Sequence, residues 1–279
     1  KYIRTWQEIV LNDFKKFNGN KWFPANNGGE YRRWYGNRED VLFWENNGEE
    51  IINGKGTVRN KQYYFKEGIS WTSISSSTIS VRCFEEDFVF TSAGFCAFSE
   101  NDLDRLKLLG FLNSKVALNL LKVYSPTLNF NVGDIQKLPN SNKNFSYKVV
   151  TASINLAKAD WNSREISWDF SRNELIKHRS QDLEESYDLY QQYWKNKFFQ
   201  LHKNEEELNR QFIDIYGLQD ELTPDVPLKD ITILKEETDI VNGDLVFDVK
   251  EVMTQFMSYA VGCMFGRYSL DKEGLVLAN

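Results

Sequence analysis

The spacing of apolar residues predicts long helices in the second half of the chain. Between residues 182 and 202, large apolar side chains recur near the 3.6-residue period of a helix: Leu183, Tyr187, Tyr190, Trp194 and Phe198. Asn204 followed by Glu207 matches a capping box, which predicts a second helix from there to about residue 216. Asp248 with Glu251 is another such pair and predicts the start of a last helix.

A shorter helix is predicted over residues 101–123. Its apolar positions follow the i, i+3, i+4 spacing that gives one buried face: Leu109, Leu112, Val116, Leu120 and Leu121. Ser125-Pro126 ends this helix, because proline lacks an amide donor and clashes with the preceding turn. Residues 125–145 are polar and rich in asparagine, so we interpret them as a loop.

The first hundred residues show a different pattern, with short apolar runs between glycine- and serine-rich stretches. These runs predict β-strands over residues 41–45, 62–66, 78–82 and 87–91. Strands followed by helices indicate an α+β fold, in which a β-rich lobe packed with helices precedes a mainly helical lobe. We predict the boundary at residue 145, which gives two domains, residues 1–145 and 146–279.

The composition excludes several classes of protein. With 41% hydrophobic and 15% aromatic residues, the 279-residue chain is not disordered. No apolar run approaches the roughly 20 residues of a membrane span, so no membrane contact is predicted. Three cysteines without paired spacing and only two histidines argue against a metal site and for a reducing, cytoplasmic location. The chain runs from Lys1 to Asn279, and we interpret it as a piece of a longer protein.

The net charge of −6 is unevenly distributed along the chain. Residues 1–100 carry 13 basic and 13 acidic side chains, residues 101–180 carry 12 and 7, and residues 181–279 carry 9 and 20. A surface that faces phosphates is therefore expected within the first 180 residues. The acidic last third is expected to be structural or to contact other proteins.

Residues 28–38 combine arginines with aromatic residues between glycines. Arg32, Arg33 and Arg38 are candidates for DNA contact, because the planar arginine fork bonds guanine O6 and N7 together or clamps a phosphate. Tyr35 can stack on a base or line a groove, whereas Trp34 is expected in the core. The alternative is a surface hairpin whose arginines are only solvated.

Residues 54–80 form the second candidate segment. Lys55, Arg59 and Lys61 supply cations there. Short hydroxyl side chains that can reach phosphates or base edges follow them: Ser75, Ser76 and Ser77. An ordinary β-hairpin with a polar tip is the alternative, and the sequence does not separate phosphate contacts from base contacts.

A polar hook follows the proline at residue 126. Asn129 and Asn131 carry amides that can bond adenine or phosphate. The alternative is a structural turn in which Asp134 caps a short helix and the asparagines close Asx-turns. Both interpretations stay open at this stage.

No catalytic, cofactor or metal site is predicted in this chain. Asp225 ahead of Asp248 and Lys250 has the order of a magnesium-dependent nuclease motif, but the spacing is loose and Asp248 already serves as a helix cap. The sequence contains no glycine-rich loop for S-adenosylmethionine, no Asn-Pro-Pro-Tyr run for a flipped adenine and no phosphate-binding GKS/T loop.

Several segments resemble known DNA-modifying systems. FLNSK at residues 111–115, NF-x-VGDI-x-x-LP at 129–139 and YYFKEGISWTSISS at 63–76 resemble target recognition domains of adenine DNA methyltransferases and of type I and type IIG restriction systems. Four further segments are similar to PglX-type adenine-specific DNA methyltransferases of BREX phage-defence systems: GGEYRRWYGN, ISWDF, NEEELNRQFIDIYGLQDELTP and YAVGCMFGRYSL. Together they extend over nearly the whole chain.

The resemblance implies a parent enzyme that methylates adenine in a short asymmetric site of host DNA, a restriction-modification type of antiviral defence. This chain then corresponds to the target recognition domain and part of a helical C-terminal region, and its partner is double-stranded DNA. The domain that binds S-adenosyl-L-methionine lies outside it. The alternative from another class is an interaction module for other phage-defence proteins or for a DNA-mimicking phage inhibitor. A carbohydrate-binding role, suggested only by the aromatics, is a third.

Overall fold

The chain forms two compact units in a computed structural model that describes residues 1–74, 78–124, 129–141, 143 and 145–276. The first unit comprises Lys1–Thr151 and Leu208–Pro224, and the second comprises Ala152–Glu207 and Asp225–Asn279. The first carries 21 basic and 19 acidic side chains, the second 13 and 21. Helices and sheets are both present, so the predicted α+β fold is confirmed. The division of function at residue 145 stays a prediction.

Two small sheets lie in the first unit. One has the strand order β1-β3-β2-β6, formed by β1 (Ile3–Thr5), β2 (Trp22–Asn26), β3 (Asp40–Phe43) and β6 (Val89–Phe90). The other has the order β5-β4-β7 and is antiparallel throughout, formed by β4 (Gly68–Thr72), β5 (Val81–Phe84) and β7 (Gly94–Ala97). Its central strand is almost fully buried, which explains the apolar residues Ile69 and Trp71.

The predicted strand over residues 62–66 is wrong. The chain instead makes a 3₁₀ turn at Lys61–Tyr63. Asn60 and Phe65 adopt left-handed backbone angles, with φ of 55° and 64°, which interrupt an extended strand on both sides. The ring of Tyr64 is nevertheless buried, and it packs edge-on against Trp44 and Phe90.

The predicted helix over residues 101–123 is divided in two. Helix α2 (Asp102–Leu112) follows the short α1 (Glu49–Asn53), and α3 (Lys115–Tyr124) comes after a break. At the break, the Asn113 side chain accepts a hydrogen bond from the Val81 amide at 3.0 Å and donates one to the Val81 carbonyl at 2.9 Å. This pairing with strand β5 fixes Asn113, and it is a contact that helical periodicity does not reveal.

Two further helices complete the first unit. Helix α4 (Val132–Ile135) is one short turn, and α5 (Tyr147–Asn162) begins in the first unit. The glycine at position 110 of α2 leaves room for neighbouring side chains. A Cβ there would lie 2.8 Å from Val150 and 3.1 Å from Phe145, so any larger residue would displace core side chains.

The second unit is mainly helical. It contains the short α6 (Glu174–Lys177), most of α7 (Leu183–Tyr216) and α8 (Val249–Met264). The start of α8 is confirmed, since the Asp248 carboxylate accepts from the amides of Lys250 and Glu251. A hairpin of β8 (Thr238–Val241) and β9 (Asp244–Phe247) precedes it and turns at Asn242-Gly243, both at positive φ.

The predicted start of a second helix at Asn204 is wrong, because α7 continues without a break. Asn204 is buried inside that helix, where its side-chain oxygen accepts from Gln200 Nε2 at 2.9 Å. The side-chain oxygen therefore bonds to a residue one turn earlier in the same helix and does not cap a new helix, while the buried Nδ2 of Asn204 has no hydrogen-bond partner within the described part of the chain.

A buried ionic cluster joins three segments of the second unit. Arg164 Nη2 lies 3.2 Å from Asp160 Oδ1 and 2.7 Å from Glu237 Oε2. Asp160 and Glu237 are 0% and 2% exposed, so two buried carboxylates share one buried cation. Asp160 also accepts a hydrogen bond from the Leu234 amide at 2.8 Å.

Glu237 is therefore expected to make stability depend on pH. Burial raises the pKa of its carboxyl from 4.5 to about 7, although Arg164 opposes the shift. Folding then takes up a proton at pH values between these two, so the contribution of Glu237 to stability is complete below about pH 4.5 and is lost as pH rises to about 7, by up to about 1.4 kcal/mol per pH unit.

Urea denaturation at several pH values between 5 and 7.5 measures this dependence. In Glu237→Gln the decline should be smaller than in the wild type, and Glu273→Gln, at an exposed position outside the cluster, serves as the control. Equal pH dependence in the wild type and Glu237→Gln would contradict the assignment.

Candidate nucleic-acid interface

The arginine segment, residues 28–38, lies packed against strand β5. Trp34 is fully buried, as predicted. Its amide donates to the Val81 carbonyl at 2.9 Å, and its carbonyl accepts from the Cys83 amide at 3.0 Å. At the start of the segment, the Asn37 side chain donates to the carbonyls of Gly28 and Glu30 and so closes the loop.

The predicted contact residues of this segment are buried. Arg32, Arg33 and Arg38 are 7%, 6% and 6% exposed, and Tyr35 is 1% exposed. The Arg38 guanidinium pairs with Glu85 and lies over the rings of Tyr35 and Phe88, at 4.3 and 4.7 Å from the ring centroids. These side chains therefore stabilise the first unit, and a DNA contact for them stays a prediction.

Arg82 of strand β5 holds the arginine segment in place, a role that the sequence analysis missed. Its guanidinium donates to the carbonyls of Arg32 and Gly28 at 3.1 and 3.4 Å. Burial, with a smaller contribution from the charge of Arg32, lowers the pKa of Arg82 to about 10, so it remains charged at neutral pH. One feature of the sequence could have indicated this role: Arg82 is the one charged residue in the otherwise apolar strand sequence VRCF, residues 81–84.

The cations of the second segment are exposed. We call residues 55–66 the cationic loop; its basic side chains are Lys55, Arg59, Lys61 and Lys66. Within the described residues, none of the four forms a salt bridge with a carboxylate. The Lys61 amine donates to the Asn47 carbonyl at 3.2 Å and lies 5.5 Å from the centroid of the Trp44 ring.

The hook, residues 129–135, is attached to the end of strand β4. The Phe130 amide donates to the Ser73 carbonyl at 3.0 Å, and the Phe130 carbonyl accepts from the indole of Trp71 at 2.8 Å. Asn129 pairs with Ile74 in an antiparallel bridge and, like Asn131, is exposed. The predicted serines follow Ile74, but Ser75, Ser76 and Ser77 lie outside the described residues.

The structural alternative for the hook, a turn with a short capped helix, is right about the helix but not about its cap. Asn131 precedes the short helix α4, without a side-chain bond that caps it. The prediction that Asp134 caps this helix is wrong, because Asp134 lies inside it and binds Lys137 at 2.9 Å.

An aromatic cleft brings the cationic loop and the hook together within the first unit. Its volume is about 1040 Å³. Thr57, Arg59 and Asn60 of the cationic loop line it, as do Val132 and Ile135 of the hook. Among the predicted contact residues, Arg59 lines the cleft directly, while the arginine segment does not contribute to it.

The described part of the chain contains no group of three or more histidine, cysteine, aspartate or glutamate side chains that could hold a metal ion. Where the structure is described, no helix is both long and apolar enough to cross a membrane.

Known proteins similar to this chain are adenine-specific methyltransferases. No protein-family model matches the chain. It is 38% identical over 301 aligned residues to the adenine-specific methyltransferase PglX of Lacticaseibacillus casei (strain Zhang). It is 36% identical over 286 residues to the adenine-specific methyltransferase BrxX of Escherichia coli O9:H4 (strain HS). Both alignments include the whole of this chain, which spans 24% of the length of each relative.

Proposed function

We propose that this chain recognises DNA sequence for an adenine-specific DNA methyltransferase of a phage-defence system. The observation that carries the proposal is the cationic loop, whose four exposed cations lack carboxylate partners among the described residues. The whole of this chain also aligns with 24% of the length of each of two adenine-specific methyltransferases. Duplex DNA presents one negative charge per about 1.7 Å of its axis, so such a loop has favourable contacts along either strand.

The cationic loop and the hook have distinct tasks in this proposal. The three lysines of the loop, Lys55, Lys61 and Lys66, contact phosphates and position the protein on the duplex. Arg59 reads a base edge, because its fork can bond guanine O6 and N7 together. Asn129 and Asn131 of the hook carry exposed amides that suit adenine N6 and N7.

The arginine segment supports these contacts from within. With 6–7% of their surface exposed, Arg32, Arg33 and Arg38 offer little area to a duplex. The proposal therefore assigns direct contact to the exposed cations first. The methyl transfer itself, and the S-adenosyl-L-methionine that it uses, are proposed to belong to the parent protein outside this chain.

The double variant Arg59→Ala, Lys61→Ala is expected to weaken binding to duplex DNA and to reduce its dependence on salt. Each lost phosphate contact should lower the slope of log K against log salt by about 1. Lys61 contacts a phosphate and Arg59 a base edge in this proposal, so the expected change in slope is about 1. Fluorescence anisotropy of a labelled duplex between 50 and 300 mM salt measures both effects.

The matched control is Lys148→Ala, Lys195→Ala, which removes two charges at exposed positions outside the cationic loop. Its salt slope should stay near that of the wild type. If both double variants change the slope equally, the loop is not the DNA-contacting surface.

One observation favours the alternative, a module that binds other proteins. Helix α8 and the residue that follows it expose apolar side chains at helical spacing, between 49% and 86% exposed: Met257, Val261, Met264 and Phe265. Binding of a partner protein that does not weaken as salt increases, together with no binding to duplex DNA, would favour this alternative over sequence recognition.

A further inference from the structure

We infer that the aromatic cleft binds one unpaired nucleotide of the DNA, a nucleotide whose base has left the stack of the double helix. The inference rests on the proposed DNA-binding function and extends it to a specific site. Three properties of the cleft support it, namely its size, its rings and its charge.

The size of the cleft fits a ligand of this class. Small-molecule sites in proteins occupy about 300–1,000 Å³, and the cleft, at about 1040 Å³, is slightly larger than that range. A nucleotide with its sugar and flanking phosphates therefore fits, whereas a complete double helix does not enter a cavity of this size.

Rings are available in the cleft for stacking. The ring of Tyr63 is 40% exposed and stacks on that of Phe98, with centroids 5.0 Å apart and planes 16° apart. Phe95, partly exposed on strand β7, lies edge-on to the buried Trp71. Base pairs within a duplex present only their edges in the grooves, so exposed ring faces favour an unstacked base.

The charge of the cleft favours a ligand that is both planar and anionic. None of the described residues that line it is acidic, and Arg59 is among them. The Lys66 amine lies 5.8 Å from the centroid of the Tyr63 ring, close enough to neutralise a phosphate beside a stacked base. Asn60 and Gln136 line the cleft with exposed amides that can bond the edge of a base.

The inference predicts that the 279-residue chain prefers a duplex that contains one bulged nucleotide over the same duplex fully paired. The probe is 2-aminopurine, placed at the bulge or at the same position in the paired duplex. Binding at the bulge should change the probe's fluorescence, because its base then stacks on protein rings. Anisotropy of an end label gives the two affinities separately.

The substitution Tyr63→Leu should reduce affinity for the bulged duplex by about fivefold to 100-fold, the range for removal of one stacking ring. Affinity for the paired duplex should change less than twofold. Tyr124→Leu is the matched control, because Tyr124 of helix α3 is 41% exposed and does not line the cleft. Ser92→Trp, at an exposed lining position, fills the cleft and should abolish the preference.

The possible outcomes separate the two proposals. Equal affinities for bulged and paired duplexes, or equal effects of Tyr63→Leu and Tyr124→Leu, would overturn the cleft assignment while leaving duplex recognition intact. Absence of binding to paired duplex, with binding to the bulge retained, would overturn the proposed function alone. Binding of free dAMP as tight as that of the bulged duplex would identify a small-molecule site and overturn the inference.

Discussion

Arg164→Ala is expected to lower the free energy of unfolding of the second unit by about 3–5 kcal/mol, the range for removal of one partner from a buried ion pair. The guanidinium bonds Asp160 and Glu237 inside the unit and reaches Glu236 at its edge. Without it, two carboxylates that are at most 2% exposed lose their shared counter-charge.

Urea denaturation followed by far-ultraviolet circular dichroism measures this loss, because the second unit is mainly helical. Arg179→Ala removes an exposed arginine from the same unit and should change stability by less than about 0.5 kcal/mol. The double variant Arg164→Ala, Glu237→Gln leaves one uncompensated carboxylate instead of two and should recover part of the loss. A loss below about 1 kcal/mol for Arg164→Ala would contradict this account of the cluster.

This cluster illustrates what the sequence indicates and what it does not. Asp160 lies in the last turn of α5 and Arg164 two residues beyond the end of that helix, so their separation of four residues predicts a contact. Glu237 lies 73 residues further along the chain, and local pattern gives no sign of it. The burial of the arginine segment could not be predicted for the same reason, because the partner of Arg38 is Glu85, 47 residues further along the chain.

Predictions from local signals are confirmed at some positions and wrong at others. The start of α8 at Asp248 follows from capping chemistry within three residues, and the burial of Trp34 follows from its size and apolar character. The break at Asn113 and the continuity of α7 through Asn204 were missed, because each depends on the partner that the asparagine side chain finds. Sequence alone presents both as polar residues with several possible roles.

The candidate site was predictable only as separate pieces. The cations at Lys55, Arg59 and Lys61 were identified, and their exposure agrees with a contact role that stays to be tested. The aromatic cleft was not, since its lining comes from segments between residues 42 and 136 without a common period. Only the folded chain brings Tyr63, Phe95 and the hook to one cavity.

Trp71→Ala is expected to lower the stability of the first unit by about 3–5 kcal/mol, the typical cost of truncating a large buried aromatic residue. Trp71 is 1% exposed in the central strand of the β5-β4-β7 sheet, so the substitution leaves a cavity there. It also removes the indole N–H that donates a hydrogen bond to the Phe130 carbonyl. Phe130 is only 6% exposed, so this carbonyl loses its partner at a buried position. The hook therefore loses one of the hydrogen bonds that hold it to the sheet.

Two further variants separate packing from hydrogen bonding at Trp71. Trp71→Phe keeps most of the apolar volume but leaves the Phe130 carbonyl without its indole donor, so it should cost about 1–3 kcal/mol. Hydrogen exchange of the Phe130 amide, which is bonded to Ser73, should then accelerate more than exchange in strand β2, because the hook loosens before the unit unfolds. Trp22→Ala, at a partly exposed position of β2, should cost less than Trp71→Ala. Uniform acceleration of exchange across the unit in Trp71→Phe would mean that the indole bond supports the whole fold, and the hook would then have no separate mobility.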